Sequence, residues 1–471
     1  MARKEQRLLM TECNQTSFRF ASHFSRKVQA DFAGGQISSD GGALLLRETE
    51  RRVDVMGRFT ACFRDQRNPS YITHAVREMI SQRVYSLALG YEDLNDQEFL
   101  RHDPLLGLLV GKGKLGEEPL AGKSTLNRLE LTEKNSEQEK DRYKKIFCDS
   151  DAVDRLLVDV FLESYEQAPG CIVLDLDVTD LPLHGHQEGR FFHGYYDSYC
   201  YLPLYIFCDG HLLCARLRTA DQDASAGCVE ELQRIVQQMR QRWPQTLIVV
   251  RADSGFCRQE LMHWCEEQKA VEYVLGFARN SKLREIIEPQ MAEAQRQCQQ
   301  TRKPARVFTE FLYQTVSGSW SRQRRVIAKA EHLEGKENPR FVVTSLAVQV
   351  WPAQKLYEEL YCARGDMENR IKEQLSLFAD RLSTETMRAN QVRMYFSAVA
   401  YTLLQALRRL GLQGTDLAQA QCSTIRLKLL KIGALIRISV RRVHLLLASG
   451  YPHQELFARI YRQLQALPLK A

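Results

Sequence analysis

Between Leu356 and Leu375 the chain reads LYEELYCARGDMENRIKEQL, with Tyr361, Arg364, Glu368 and Lys372 at intervals of three, four and four. On a helix that spacing puts all four on one side. A phenol, a guanidinium, a carboxylate and an ammonium on one stripe make a poor core face and a good surface for a polyanion near a metal. The plainer reading is a solvated helix with an ordinary Glu368–Lys372 pair, worth only about a few tenths of a kcal/mol. Two upstream segments weigh against it. CIVLDLDVTDLPLHG places Asp175 and Asp177 on one face of a strand, opposite Leu174 and Leu176, and TLIVVRADSGF is an apolar strand that ends at Asp253. Two aspartates from adjacent strands and a glutamate from a following helix form an oxygen-only ligand set, suited to Mg²⁺ or Mn²⁺ rather than zinc. Two such ions about 3.5–4 Å apart activate an attacking water or hydroxyl and stabilise the leaving oxygen in phosphodiester cleavage. Arg364, with its planar fork, and Lys372, as a point charge, would then hold phosphates. Taken singly, Asp177 reads equally as the cap of the turn after its strand, and Asp253 as the start of the next turn or helix. Coincidence explains all three acids together less well.

The surrounding elements must bring these segments together. Residues 1–150 read as a mainly helical region behind a short strand-like preface. FSRKVQADF and GGQISSDGGALLLRETERRV suggest a strand, a Gly-rich turn and a helix capped near Ser39 or Asp40. ITHAVREMISQRVYSLALGY is an amphipathic helix. GKGKLGEEPLAGKSTLNRLE is not a phosphate loop, because Glu117 stands where the pattern needs glycine and no apolar strand leads into it. STLNRLE instead starts a helix capped by Ser124 or Thr125, from which Lys123 and Arg128 could touch DNA phosphates; a plain capped surface helix fits equally.

From about residue 168 the period changes to two. CIVLDLDVTDLPLHG is followed by FFHGYYDSYCYLPLYIFCDGHLLCARLRT, read as two strands turning at Cys208–His211. The helix GCVEELQRIVQQMRQRW, the strand ending at Asp253, the helix QELMHWCEEQ and the strand VEYVLGFA come next. Three antiparallel strands, a helix, a buried strand with a terminal aspartate, then a helix and a strand is the order of a ribonuclease-H-like mixed α/β sheet, which sets site residues at strand ends. The catalytic core is therefore assigned to 165–285 and 356–382, with a β-rich insertion at 286–355 and a basic helical region at 383–471. The apolar positions of those last helices suit core packing and dimerisation.

Length and composition agree with a soluble globular protein of several domains: 44% of the 471 residues are hydrophobic and 26% charged, without low-complexity tracts. No apolar run reaches membrane-spanning length, and MARKEQRLLMTECNQ lacks the apolar segment of a signal peptide, so a cytoplasmic protein with no membrane partner is expected. The 13 cysteines include no CxxC pair, which speaks for reduced thiols and against a zinc ribbon or disulfide framework. The net charge of +7 is uneven: from Arg381 onward 14 Lys/Arg face 3 Asp/Glu, which suggests a nucleic-acid partner.

IVLDLDVTDLPLHG, IVVRADSGF and YCARGDMENRIKEQ resemble the three catalytic segments of insertion-sequence DDE transposases, most nearly the insertion-sequence 1380 family within the wider insertion-sequence 4 group. FAGGQISSDGGALLLRE and RLKLLKIGALIRISVRRV are also similar to that family, so the likeness spans nearly the whole chain. About 75 residues between the aspartates, and a longer gap to Glu368 holding a β-rich insertion, agree with it. The resemblance implies Asp177, Asp253 and Glu368 as metal-binding catalytic residues, with Asp177 preferred over Asp175 because it lies two residues before Thr179. Tyr361, Arg364 and Glu368 match the Tyr-x2-Arg-x3-Glu signature. The signature lysine position is Leu375, so Lys372 is the substitute. Trp320 corresponds to a tryptophan that sits near flipped bases, and a packing role is the alternative. The implied activity is Mg²⁺-dependent cutting and joining of DNA, with the terminal inverted repeats and target DNA as partners and a homodimer pairing the ends. A nuclease that cuts without transfer, and a DNA-binding protein without catalysis, are the rival readings.

Asp253→Asn removes a metal ligand and no DNA contact, so it should abolish cleavage while leaving DNA-end binding within about threefold, measured by gel shift beside a cleavage assay. Loss of binding together with folding would make Asp253 structural.

Overall fold

The run Cys171–Val178 (β1) is buried at Ile172, Leu174, Asp175 and Leu176, as befits a strand with neighbours on both sides. The computed structural model describes residues 17–131, 145–315 and 318–470; the reading of residues 1–15 lies outside them. After β1 the sheet takes β2 (Leu204–Cys208), β3 (His211–Arg216), β4 (Leu247–Ala252), β5 (Val271–Phe277), β6 (Ala305–Tyr313), β7 (Arg324–Leu333), β8 (Lys336–Glu337) and β9 (Arg340–Thr344). Their spatial order is β3-β2-β1-β4-β5-β9-β7-β6, with β8 paired to β7. β4 runs parallel to both β1 and β5, and every other pairing is antiparallel. The protein thus has a mixed α/β fold on a nine-stranded sheet.

Helices cover both faces. Ile172, Leu174 and Leu176 of β1 and Ile248 and Val250 of β4 pack on Phe161 of α2 (Ser150–Glu163), Leu232 and Ile235 of α3 (Cys228–Arg242) and Met262 of α4 (Gln259–Glu267). On the opposite face Val249, Val274, Ile327 and Val342 meet Leu356, Tyr357 and Leu360, while Tyr205 and Phe207 join the core that holds Met367 and Ile371 of α5 (Gly365–Ser376). That core centres on α6 (Met387–Gly411), a helix buried nearly all round, polar Asn390, Gln391 and Arg408 included. The helix expected upstream is α1 (Val76–Leu89), and it packs in the same core, so residues from both ends of the chain share one interior.

Local readings failed in five places. The strands expected in 286–355 exist, but Glu288–Thr301, rich in the helix formers Glu, Gln and Ala, is a helix ahead of them. The helix read across STIRLKLLKIGALIRISVRRVHLLLAS stops at Leu430; Ala434–Ile438 and Val443–Leu447 form a hairpin that pairs with Gln36–Ser38. That partner lies about 400 residues away, where no local periodicity can register it. The segment FFHGYYDSYCY is not part of the large sheet: Phe191–His193, Ser198–Tyr201 and Leu181–Pro182 make a separate three-stranded sheet. Neither Ser39 nor Asp40 caps the first α-helix, Leu44–Val53; Asp40 instead accepts from the Tyr91 hydroxyl at 2.7 Å and lies 2.6 Å from the Lys431 ammonium. Gly122, not Ser124 or Thr125, precedes the helix Lys123–Glu130, and the exposed Glu98 carboxylate receives the Lys123 amide at 2.9 Å.

α5 is anchored by a buried carboxylate. Glu373 accepts from Arg408 at 2.7 Å, Arg370 at 2.9 Å and the Cys422 amide at 3.2 Å. Glu373→Gln would leave the Arg408 charge buried without its counterion, so stability should fall by about 3–5 kcal/mol in urea unfolding. An unchanged midpoint would show that the pair does not hold α5.

Candidate active site

The parallel register of β1 and β4 matches Asp175 with Arg251 and Leu176 with Ala252. One more step along both strands sets Asp177 beside Asp253 at the carboxyl ends. Alternation then sends Asp175 and Asp177 to the same face, where they meet different fates.

Asp175 is engaged by Arg251, which reaches both carboxylate oxygens, at 2.7 Å for the longer contact. The same guanidinium donates to the Leu360 carbonyl. Asp177 accepts the Val178 amide at 2.9 Å and an Arg364 N–H at 3.0 Å. Burial, opposed by Arg364 and reinforced by the nearby Asp253 charge, pushes its carboxyl up to about 6. Asp253 caps a tight turn by accepting the Gly255 amide at 2.9 Å, so the structural role available to it is real and coexists with its place beside Asp177.

The third segment is one helical rod of unequal pitch. Leu356–Tyr361 is wound as a π-helix, Cys362–Arg364 as a 3₁₀ turn, and α5 follows. Wide and tight turns of this kind are frequent at functional sites. The change of pitch breaks the single stripe expected of a regular helix. Tyr361 lies over Gly276 of β5, where an added Cβ would stand 2.5 Å from the tyrosine oxygen, 2.9 Å from the Ser254 nitrogen and 3.1 Å from the Asp253 carbonyl carbon. Arg364 turns inward to Asp177, and its second nitrogen lies 3.8 Å from Glu368. Glu368 itself is 57% exposed, and the expected Glu368–Lys372 pair is not formed. Lys372 is exposed and Leu375 packs against the core.

Tyr361, Arg364, Asp177 and Asp253 are therefore brought together, with Glu368 at the rim. Trp320 is elsewhere in character: 3% exposed, it packs on Phe277 at 4.9 Å and on Tyr313 at 5.9 Å, with Arg324 over its ring. In this arrangement it offers no ring face to a base. Lys123 is exposed, its ammonium 3.0 Å from Asn95 Oδ1, and Arg128 is half-buried on the same helix. Arg251 and Gly276 escaped the sequence reading. The signal for Arg251 was visible, a charge inside the apolar run LIVVRA, and that for Gly276 was not, since only the fold brings Tyr361 above it.

A sequence profile of the DDE transposase domain, group 1, matches residues 20–469. The chain belongs to this DDE transposase family. Membership places it among enzymes of the transposition type, a family that generally works with divalent metals. The cryo-EM structure of a piggyBac transposase synaptic complex with hairpin DNA is similar at a TM-score of 0.39 and 9% identity, over 83% of this chain and 80% of that one. Comparison with curated proteins finds no match. As to the family's metal, the two aspartates offer hard oxygen donors in a partly buried, mutually repelling pair, a donor set that fits a divalent cation. Among the described residues no three acidic, histidine or cysteine side chains converge, because Glu368 points outward. No described helix is long and apolar enough to cross a membrane, and the described cysteines are all free thiols.

The two aspartates of β1 should separate by stability. A carboxyl held above its ordinary range contributes stability that is present at low pH and is lost as pH rises through about 6. Asp177→Asn should therefore gain melting temperature relative to the native chain between pH 4 and pH 7, by about a few degrees. Burial raises the Asp175 carboxyl as well, but Asp175→Asn leaves the buried Arg251 charge without its counterion, and that loss dominates, so it should lose stability at pH 7. Scanning calorimetry at the two pH values decides; a stabilising Asp175→Asn would undo the assignment.

Proposed function

We propose that this chain is a transposase that binds the terminal inverted repeats of its own element and cuts and joins DNA strands by Mg²⁺-dependent phosphoryl transfer, Mn²⁺ substituting. The observation that carries the reading is the juxtaposition of Asp177 and Asp253 at neighbouring strand ends, with Arg364 against Asp177, in a chain of the DDE transposase family. The strand order β3-β2-β1-β4-β5, with three antiparallel strands followed by two parallel ones, supports a ribonuclease-H-like core. The match of Tyr361, Arg364 and Glu368 to the Tyr-x2-Arg-x3-Glu signature supports the insertion-sequence 1380 family within the insertion-sequence 4 group.

In this reading Asp177, Asp253 and Glu368 would hold the metal, which when bound would supply activation of the attacking hydroxyl and stabilisation of the leaving oxygen. Asp177 is preferred over Asp175, whose two oxygens both accept from Arg251. Arg364 neutralises Asp177 until a DNA phosphate draws its fork away, and Glu368, four residues along the same helix, then turns to the aspartates. Tyr361 and Gly276 fix that helix against β5, and Lys372 meets phosphates from the exposed side. Water is the nucleophile in cleavage and a freed 3′-hydroxyl in joining. The N-terminal region, with Lys123 and Arg128, binds the ends; the basic C-terminal region holds a homodimer together on DNA in the bacterial cytosol or nucleoid. A nuclease on the same fold would cut but not join, which pre-cut ends distinguish.

A labelled duplex carrying the element's own ends, incubated with Mg²⁺, should be cut at the ends by the native chain, and cutting should fall at least about a thousandfold for Glu368→Gln. Equal cleavage by both proteins would place the chemistry elsewhere, and binding without cleavage by either would make the chain an inactive DNA-binding protein.

A further inference from the structure

The small sheet that follows Asp177 leaves an unusual set of side chains in solvent. Phe191, Phe192, Tyr195 and Tyr199 are 42%, 53%, 85% and 46% exposed, all within nine residues. Phe192 and Tyr199 are directly opposed across the Phe191–His193/Ser198–Tyr201 pair, so their rings share one face, 5.5 Å apart and edge to face. The Arg190 guanidinium lies 4.4 Å from the Tyr199 ring centre. Tyr195 stands at the turn, 5.0 Å from Tyr196. Soluble surfaces rarely keep such a contiguous aromatic patch without something to cover it.

Its position identifies the cover. Tyr196 and Val178, the residue that follows Asp177, both pack against the small cluster of Cys200, Leu202 and Ala220, so the small sheet is rooted on the strand end that carries Asp177. Burial first, then the charges of Asp180, Tyr195, Asp177 and Asp253, push the Tyr196 hydroxyl up to about 12. Flat rings with a guanidinium stacked among them are the surface that unpaired bases choose, because every base has a π-face and the phosphates meet the cation. Trp320, the other aromatic candidate, is buried.

We propose that Phe192 and Tyr199, with Arg190 and Tyr195, form a platform on which unpaired nucleotides next to the scissile phosphate stack. The proposal rests on the DNA-cutting reading above and adds the ligand, single-stranded DNA, and the residues that hold it. The stacking is sequence-tolerant, so a fluorescent oligothymidine of about 20 nucleotides serves as probe. Phe192→Ser combined with Tyr199→Ser should weaken its binding by about tenfold or more. Blunt-duplex binding should change by less than about twofold. Photocrosslinking of an iodouracil-containing oligonucleotide to the native chain should map to residues 191–199. Tyr195→Ser, at an exposed turn, gives a second variant whose folding is not at issue, and a several-fold loss is expected there. Unaltered oligothymidine affinity in both variants, or crosslinks confined to other segments, overturns the platform. So does dissociation of an oligomer in the double variant under sedimentation, which would make the patch an interface between copies of the chain. Retained duplex binding with oligothymidine affinity unchanged by the substitutions overturns the platform alone, whereas absence of both kinds of binding in the native chain overturns the DNA-cutting reading with it.

Discussion

Arg251 is the one side chain on which the geometry of the candidate site depends. It rises from β4 two residues before Asp253, grips Asp175 on β1 two residues before Asp177, and donates to the Leu360 carbonyl just before Tyr361 and Arg364. Three segments that are far apart in the chain are thereby fixed to one planar, always-charged fork. A buried ion pair contributes little net stability, and its removal in halves is costly; what it supplies is registration. Slippage of β1 against β4 would strand both charges, so this pair holds the neighbouring aspartates in step.

The sequence was informative wherever the constraint is local. Asp177 and Asp253 are strand ends because alternating and continuous apolar runs stop at them, and α3, α4 and α6 follow from helical periodicity. It was uninformative where a distant partner decides. The hairpin at Ala434–Leu447 pairs with Gln36–Ser38, and the run of Ile, Leu and Arg there satisfies a helical pattern as readily as an extended one. The strands after Glu288–Thr301 were legible as strands, but nothing local says that β9 extends the central sheet by pairing with β5. The pitch change at Leu356–Arg364 is invisible in a sequence read with one period, and it is what turns Arg364 inward and leaves Glu368 outside. Trp320 could be read either way from sequence alone; burial against Phe277 and Tyr313 decides how this structure uses it.

Electrostatics give the centre its asymmetry. Asp177 and Asp253 repel one another in a partly buried setting, and the cation paired with Asp177 is Arg364, which is shared with Glu368 at longer range. A cluster with more negative than positive charge, built on rigid strand ends and one irregular helix, is a site that carries its own internal counterion and has capacity for another.

The pairing of β9 with β5 has a consequence for how the protein is made. Strands β1 to β5 leave the ribosome with the apolar edge of β5 open, and that edge is closed only once the chain reaches Arg340, 63 residues beyond Phe277. The helix bearing Glu368 follows later still. A nascent chain of this protein therefore passes through a long interval in which the central sheet is incomplete and prone to pairing with its neighbours, a topology that folds slowly because its contacts are distant. The same delay means that a growing chain reaches about four-fifths of its length before all three acidic segments are present together.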